Sequence, residues 1–160
     1  MLGMPLLLVR HGHAGRRSAY KGDDRTRPLS KRGAEQARAL VPLLSAYRPQ
    51  RILSSPYVRC YGTVRPPAEA LGLPVESIDE LAEGHGAEAL QLLERMVGES
   101  AVLCTHGDVA TDVLAALVVD DSTRLGRPTR LLKGEGWVIQ SVGTSLAIVD
   151  HLVVGKEAGR

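Results

Sequence analysis

Pro5-Leu6-Leu7-Leu8-Val9-Arg10-His11-Gly12 runs an unbroken apolar stretch straight into a cation, an imidazole and a glycine. A short continuous apolar run, without the alternation of a half-exposed strand, is the pattern of a strand buried on both faces by covering helices. The arrangement recurs twice. Arg51-Ile52-Leu53-Ser54 leads into Ser55-Pro56-Tyr57-Val58-Arg59, and Ala101-Val102-Leu103-Cys104 leads into Thr105-His106-Gly107. Between these runs lie segments of helical period. Ser30 suits an N-cap before Ala34, Ala37, Leu40, Val41 and Leu44, with an end expected near Tyr47-Arg48-Pro49. Pro56 suits the first turn of a second helix, which Pro66-Pro67 must kink or break, leaving residues 68–71 as a further turn. Leu73-Pro74-Val75 reads as a small edge strand and residues 86–97 as a helix with Ala89, Leu90, Leu93 and Met96 on one face. A helix over about 108–118 and a hairpin of 137–141 with 145–151 close the chain. Strands alternating with helices predict an α/β fold, a three-layer α/β/α sandwich on a mostly parallel central sheet, in one domain over 1–154 with a flexible tail at 155–160.

Composition narrows the function. The chain has 160 residues, 44% hydrophobic and 24% charged, enough for one core. With 3% aromatic residues and no Phe there is little to stack bases on. A net charge of +2 is too mild for a polyanion-binding surface, and the basic stretches are doublets such as Arg16-Arg17 and Lys31-Arg32. Nucleic acid is therefore not expected as a partner, while a local anion site is compatible with this balance. Cys60 and Cys104 match no zinc or redox spacing and read as buried free thiols of a reducing cytoplasm. The apolar start lacks a basic leader pattern, and no run approaches membrane-spanning length, so a cytoplasmic protein without a membrane partner is expected.

The chemistry resides in the three segments after the strands, which a parallel sheet gathers at one edge. Arg10-His11-Gly12-His13-Ala14-Gly15-Arg16-Arg17 combines imidazoles and cations with glycines that expose backbone, the makings of an anion site. Arginine suits a phosphoryl group by its planar donor fork and permanent charge. Cations around a histidine also disfavour imidazolium, so His11 is expected to stay neutral and nucleophilic near pH 7 and to attack phosphorus in line. Arg10, Arg59 and His106 would neutralise the equatorial oxygens, with Gly12 and Gly107 beside them and Arg16 preferred over Arg17 as a further contact. A leaving alkoxide needs a proton, for which Glu80, Glu83 and Asp24 are candidates and Glu83, between Ala82 and Gly84, is preferred. His13 stands equally as a substrate contact or a loop residue. Lys21, His85, His151 and Trp137 read as structural or solvated.

Leu-Val-Arg10-His11-Gly12, Ser54-Ser55-Pro56 with Arg59 and Thr63, and Thr105-His106-Gly107 together resemble the histidine phosphatase superfamily, also called phosphoglycerate-mutase-like. The motifs occur in the family's order. The resemblance implies a phosphohistidine on His11, a phosphate pocket of Arg10, Arg59 and His106, and no metal or other cofactor. The short length and Asp24 followed by Arg27-Pro28-Leu29-Ser30 with Gly33 are similar to the small SixA-type phosphohistidine phosphatases. Arg10 to Arg17, Gly22-Asp23-Asp24 and Lys133-Gly134-Glu135-Gly136-Trp137 are closer to the histidine phosphatase domains fused to Nudix hydrolases. His13 stands where mutases carry Glu, and Leu81-Ala82-Glu83 only approximates the family's acid motif, so a mutase is disfavoured. The expected partner is a small phosphorylated substrate, a nucleotide or a phosphohistidine protein. Two rival readings are a metal-dependent hydrolase, with His11, His13, Asp23 or Asp24, His106 and Asp108 as ligands, and a phospho-ligand binding module without turnover.

Overall fold

The apolar runs form the centre of a seven-stranded sheet in the order β3-β2-β4-β1-β6-β7-β5. The structure is a computed structural model that describes residues 4–119 and 130–154. In chain order the strands and longer helices are β1 (Leu6–Arg10), α1 (Lys31–Ser45), β2 (Arg51–Ser54), α2 (Val58–Leu71), β3 (Val75–Ser77), α3 (Gly86–Arg95), β4 (Ala101–Thr105), α4 (Gly107–Ala116), β5 (Val118–Val119), β6 (Gly136–Val142) and β7 (Ser145–Leu152). Of the six neighbouring strand pairs, four are parallel and two, β1 with β6 and β6 with β7, are antiparallel. The mostly parallel sheet expected from the sequence is thus present, and the expected tail at 155–160 lies outside the described residues.

Why the central runs show no alternation is plain from the two cores. Leu6 and Leu8 of β1, with Ala101 and Leu103 of β4, join Ala89, Leu93, Val109 and Val113 of α3 and α4. Leu7 and Val9, with Val102 and Cys104, join Leu40, Leu44, Cys60 and Val64 of α1 and α2. Successive strand residues point to opposite faces, so a sheet covered on both sides must be apolar at every position. Burying each such side chain contributes about 1.5–3 kcal/mol. The outcome is a three-layer sandwich.

Local signals set the helix starts. Ser30 accepts from the Gly33 backbone N–H at 3.1 Å, the N-cap bond expected of it. Gly33 itself is dictated by the loop above it, because a Cβ there would lie 2.0 Å from the His13 carbonyl oxygen. Two expectations about α2 need correction. Pro56 lies before the helix, whose cap is Tyr57. Pro66 and Pro67 do not break it, and α2 continues to Leu71 before Gly72 ends it at φ +68°. Two missing N–H donors cost on the order of 3 kcal/mol or more each in isolation, but packing of Val64, Pro67 and Ala68 into the core outweighs that local penalty. The helix expected to reach 118 stops at Ala116, and Val118 and Val119 instead pair in parallel with Ala147 and Ile148. Among the described residues no helix is long and apolar enough to cross a membrane.

Candidate active site

Register alone brings two histidines together. Arg10 pairs with Thr105 across β1 and β4, so the next residues, His11 and His106, leave the sheet side by side with ring centroids 5.4 Å apart. The His11 N–H donates to the Thr105 carbonyl at 3.1 Å. Ser54 pairs with Cys104, which carries Ser55 and the start of α2 to the same edge.

His11 is 6% exposed, and its Nδ1 lies 2.8 Å from the Gly12 carbonyl oxygen. A carbonyl can only accept, so Nδ1 carries the proton and the lone pair of the neutral ring sits on Nε2. Burial, reinforced by the charges of His106, Arg59 and Arg10, outweighs that carbonyl bond and pulls the His11 pKa down to about 3. The ring is therefore neutral at pH 7. Gly12 was expected among the phosphate contacts, but it stands behind the histidine. Its N–H donates to Thr63 Oγ1 at 2.9 Å, and that hydroxyl donates to the Arg59 carbonyl at 2.8 Å. The donor that an anion would need is already used by α2.

Three side chains surround His11. Arg10 closes β1, donates from Nη1 to the Leu131 carbonyl at 3.0 Å and presses its guanidinium against Gly107, where a Cβ would lie 2.7 Å from Arg10 Cζ. Any larger residue at 107 would have to displace that guanidinium. Arg59, in the first turn of α2, is 1% exposed; it donates to the Asp24 carbonyl at 2.8 Å, pairs with the Asp24 carboxylate at 3.1 Å and lies 4.9 Å from the Tyr57 ring centroid. His106 shares Nε2 with Ser55 Oγ at 2.8 Å and lies edge-on to Tyr57. Among the described residues Arg10 Nε, Arg59 Nε and His106 Nδ1 are buried without a protein partner. Unsatisfied buried donors cost about 1–3 kcal/mol each, a cost that a bound oxyanion removes.

These groups line a cavity of about 490 Å³ with Arg17, Arg27, Glu83, Asp108, Arg130 and Lys133. The lining is predominantly cationic. Arg17, not Arg16, takes part: it bonds both Glu83 oxygens at 2.9 and 3.0 Å and Asp24 at 3.1 Å. Gly15 at φ +67° turns the chain into the short 3-10 turn Arg17–Ala19, so the two neighbouring arginines diverge and Arg16 lines a shallow depression with Tyr20 and Leu29. Glu83 lines the cavity, as expected of a proton donor, and its neighbour Gly84 N–H donates to Asp108 Oδ2 at 2.7 Å. The other two carboxylates fit that task less well. Glu80 pairs with Arg95 outside the cavity. Burial raises the Asp24 pKa, but Arg27 and Arg59 together outweigh it and hold the carboxyl below its usual range, so it stays ionised. His85 Nδ1 lies 3.1 Å from the Glu83 carbonyl, and His151 Nε2 lies 2.9 Å from Glu135.

Sequence reasoning assigned no contact to Arg27, Arg130 or Lys133. Arg27 is 8% exposed, donates to the Ala14 carbonyl at 2.7 Å and pairs with Asp24 at 2.9 Å. The signal available in the sequence was Arg27 three residues after Asp24 and directly before Pro28. Among the described residues no group of three or more His, Cys, Asp or Glu is placed to hold a metal ion, and His13, a proposed ligand of the rival reading, bonds Ser30 Oγ at 2.7 Å outside this cavity.

Comparison with known proteins agrees with this geometry. The family described as "Histidine phosphatase superfamily (branch 1)" matches residues 6–89, a span that carries the first two post-strand motifs. A curated relative, an 8-oxo-(d)GTP phosphatase of Mycolicibacterium smegmatis, is 38% identical over 92% of this chain and 47% of its own length. The chain thus spans about half the length of that relative. Among solved structures, a protein assigned as the phosphohistidine phosphatase SixA of Agrobacterium tumefaciens superposes with TM-score 0.77 at 23% identity, covering 94% of this chain and 99% of that one. The protein histidine phosphatase SixA in complex with tungstate gives TM-score 0.74 at 20% identity, covering 93% and 96%. These structural likenesses establish the fold.

Proposed function

The chain belongs to the histidine phosphatase superfamily, and we propose that it is a phosphatase that works through a phosphohistidine formed on His11 Nε2, without a metal ion. The observation that carries this reading is the His11 Nδ1 bond to the Gly12 carbonyl, which leaves Nε2 as the ring's nucleophilic nitrogen in a cationic cavity.

A phosphoryl group docks on Arg10, Arg59 and His106, satisfying the donors that lack protein partners. Nε2 attacks phosphorus in line. As the P–N bond forms, the bond to the leaving oxygen breaks, and that oxygen takes the proton of Glu83. The ring's gained positive charge is shared with Nδ1–H, whose bond to Gly12 strengthens, and is balanced by the phosphoryl oxygens. A water molecule, deprotonated by Glu83, then attacks phosphorus, releases phosphate and returns His11 to the neutral form. The arginines carry most of the rate, because phosphoryl transfer is limited by charge stabilisation more than by the nucleophile. Arg17 exchanges its Glu83 carboxylate partner for the incoming phosphate when Glu83 is protonated.

The substrate class follows as a phosphomonoester or a phosphohistidine, handled in the cytoplasm. A nucleotide substrate is the second reading, favoured by the 38% identity to an 8-oxo-(d)GTP phosphatase. A panel of phosphohistidine protein, nucleoside mono-, di- and triphosphates and sugar phosphates separates the two. Radiolabelled substrate quenched without acid should leave label on the wild-type chain and none on His11→Asn. Label retained by the Asn variant would overturn the covalent step, and activity that vanishes in chelator and returns with a divalent ion would overturn the metal-free one.

A further inference from the structure

Beside the catalytic cavity lies a second cleft of about 520 Å³, lined by His13, Arg32, Gln36 and Glu135 together with Arg10, Arg130 and Lys133. The last three also line the catalytic cavity, so the two spaces adjoin along a row of cations. The segment that carries Lys133 is firmly held. The Gly134 N–H donates to both the Arg10 and His11 carbonyls at 3.1 Å, and Gln36 bridges the His13 N–H at 2.8 Å and the Lys133 carbonyl at 3.4 Å.

The cleft holds more cations than carboxylates. Among the described residues Arg32, Arg130 and Lys133 form no ion pair. The one carboxylate present, Glu135, receives the Leu132 N–H and His151 Nε2 on Oε1 and offsets part of the charge of Arg10. Burial, with the charges of Arg10, Arg27, Arg32 and Arg59, depresses the Lys133 pKa. Arg32 also breaks a local rule: with Lys31 it places positive charge in the first turn of α1, which holds no acidic residue. The helix dipole makes each such charge unfavourable. A crowd of unpaired cations maintained against its own repulsion, next to a phosphoryl site, is what a multiply charged anion requires.

We propose that the cleft of His13, Arg32, Arg130 and Lys133 is a second oxyanion subsite, which holds a phosphoryl group of the substrate beyond the one that His11 attacks, so that preferred substrates carry a chain of phosphoryl groups. The assignment of the attacked group rests on the reading of His11 given above; the cleft itself does not. Arg10, Arg130 and Lys133 then lie between the two groups.

The test uses inorganic tripolyphosphate and inorganic phosphate as probes, with Arg32→Glu as the variant. Arg32 is exposed and unpaired, and an acidic residue at the start of α1 suits the helix, so the fold should stand. In a His11→Ala background, which cannot turn over, tripolyphosphate should bind about tenfold tighter than phosphate, and Arg32→Glu should remove most of that advantage while changing phosphate affinity less than about twofold. Unchanged tripolyphosphate affinity, or an equal loss for both probes, overturns the subsite. If phosphate binds with two equivalents, falling to one in Arg32→Glu, and tripolyphosphate shows no advantage, the cleft takes free phosphate and the substrate-chain assignment is overturned. In the active enzyme Arg32→Glu should raise KM for tripolyphosphate with kcat unchanged and leave phenyl phosphate hydrolysis intact. An enzyme that hydrolyses neither compound overturns the catalytic reading, while the binding arm still decides the subsite.

Discussion

The two halves of the sheet reach the same cavity by opposite routes. In the parallel half, β1, β2 and β4 run the same way, so the residues that follow them, His11, Ser55 and His106, come out together at one edge. In the antiparallel half the chain arrives at that edge instead of leaving it. Val9 pairs with Gly136, so the residues that precede β6, Arg130 to Glu135, flank His11, and β7 returns to the edge with Leu152 opposite Gly136. In the proposed mechanism the parallel half supplies the reacting groups, and the antiparallel half supplies further cations along the cavity. Strand direction decides whether a functional residue is found after a strand or before it.

Five experiments sharpen that division, taken from the largest effect to the smallest. His11→Ala should abolish turnover, by about 10⁴-fold or more, with the fold intact by circular dichroism; normal turnover in a folded variant breaks the assignment. Arg59→Ala should cost about 10²–10³-fold in kcat/KM, since it removes a fully desolvated cation and strips Asp24 of a partner. On the other half, Ile148→Ala, in the buried stretch of β7, should lose about 2–5 kcal/mol of stability while the folded fraction keeps its specific activity. A matching fall in specific activity would show that β7 does more than brace that side of the cavity.

Glu83→Gln should lower kcat by about 10–100-fold on alkyl phosphates and far less on an aryl phosphate whose leaving group needs no proton. Equal losses on both would move the acid role elsewhere. The smallest effect is one of pH. The His11 pKa is lowered from 6.5 to about 3 on folding, so the unfolded chain binds the extra proton, and the His11 contribution is fully present above pH 6.5 and drains away as pH falls toward 3. Between pH 6.5 and 5 wild type should therefore lose about 1–2 kcal/mol more stability than His11→Asn. Parallel curves for the two proteins would mean that the histidine is not buried in its neutral form.

What could be read ahead of the structure tracks local against distant causes. Continuous apolar runs reported the doubly covered strands because covering helices leave no exposed face, and the Ser30 cap was readable because its bond spans three residues. Pro66 and Pro67 misled for the converse reason: their cost is local, but the packing that outweighs it comes from α1 and the sheet. Arg16 and Arg17 could not be told apart because the choice rests on the φ of Gly15 and on where Glu83, far along the chain, presents its carboxylate. Lys133 and Arg130 were missed because nothing in a single sequence states that β6 runs against β1.

By itself the sequence determined the alternating strands and helices and the three post-strand motifs, and hence the expectation of a phosphoryl-binding edge, because hydrophobic period and residue chemistry are carried by neighbouring residues. The tertiary structure alone decided which nitrogen of His11 is free, through the Gly12 carbonyl, and which arginine enters the cavity. It also decided that His13 and Arg32 face a cleft of their own beside Lys133. Those outcomes depend on strand register, on burial and on charges brought together from remote parts of the chain, none of which has a local signature.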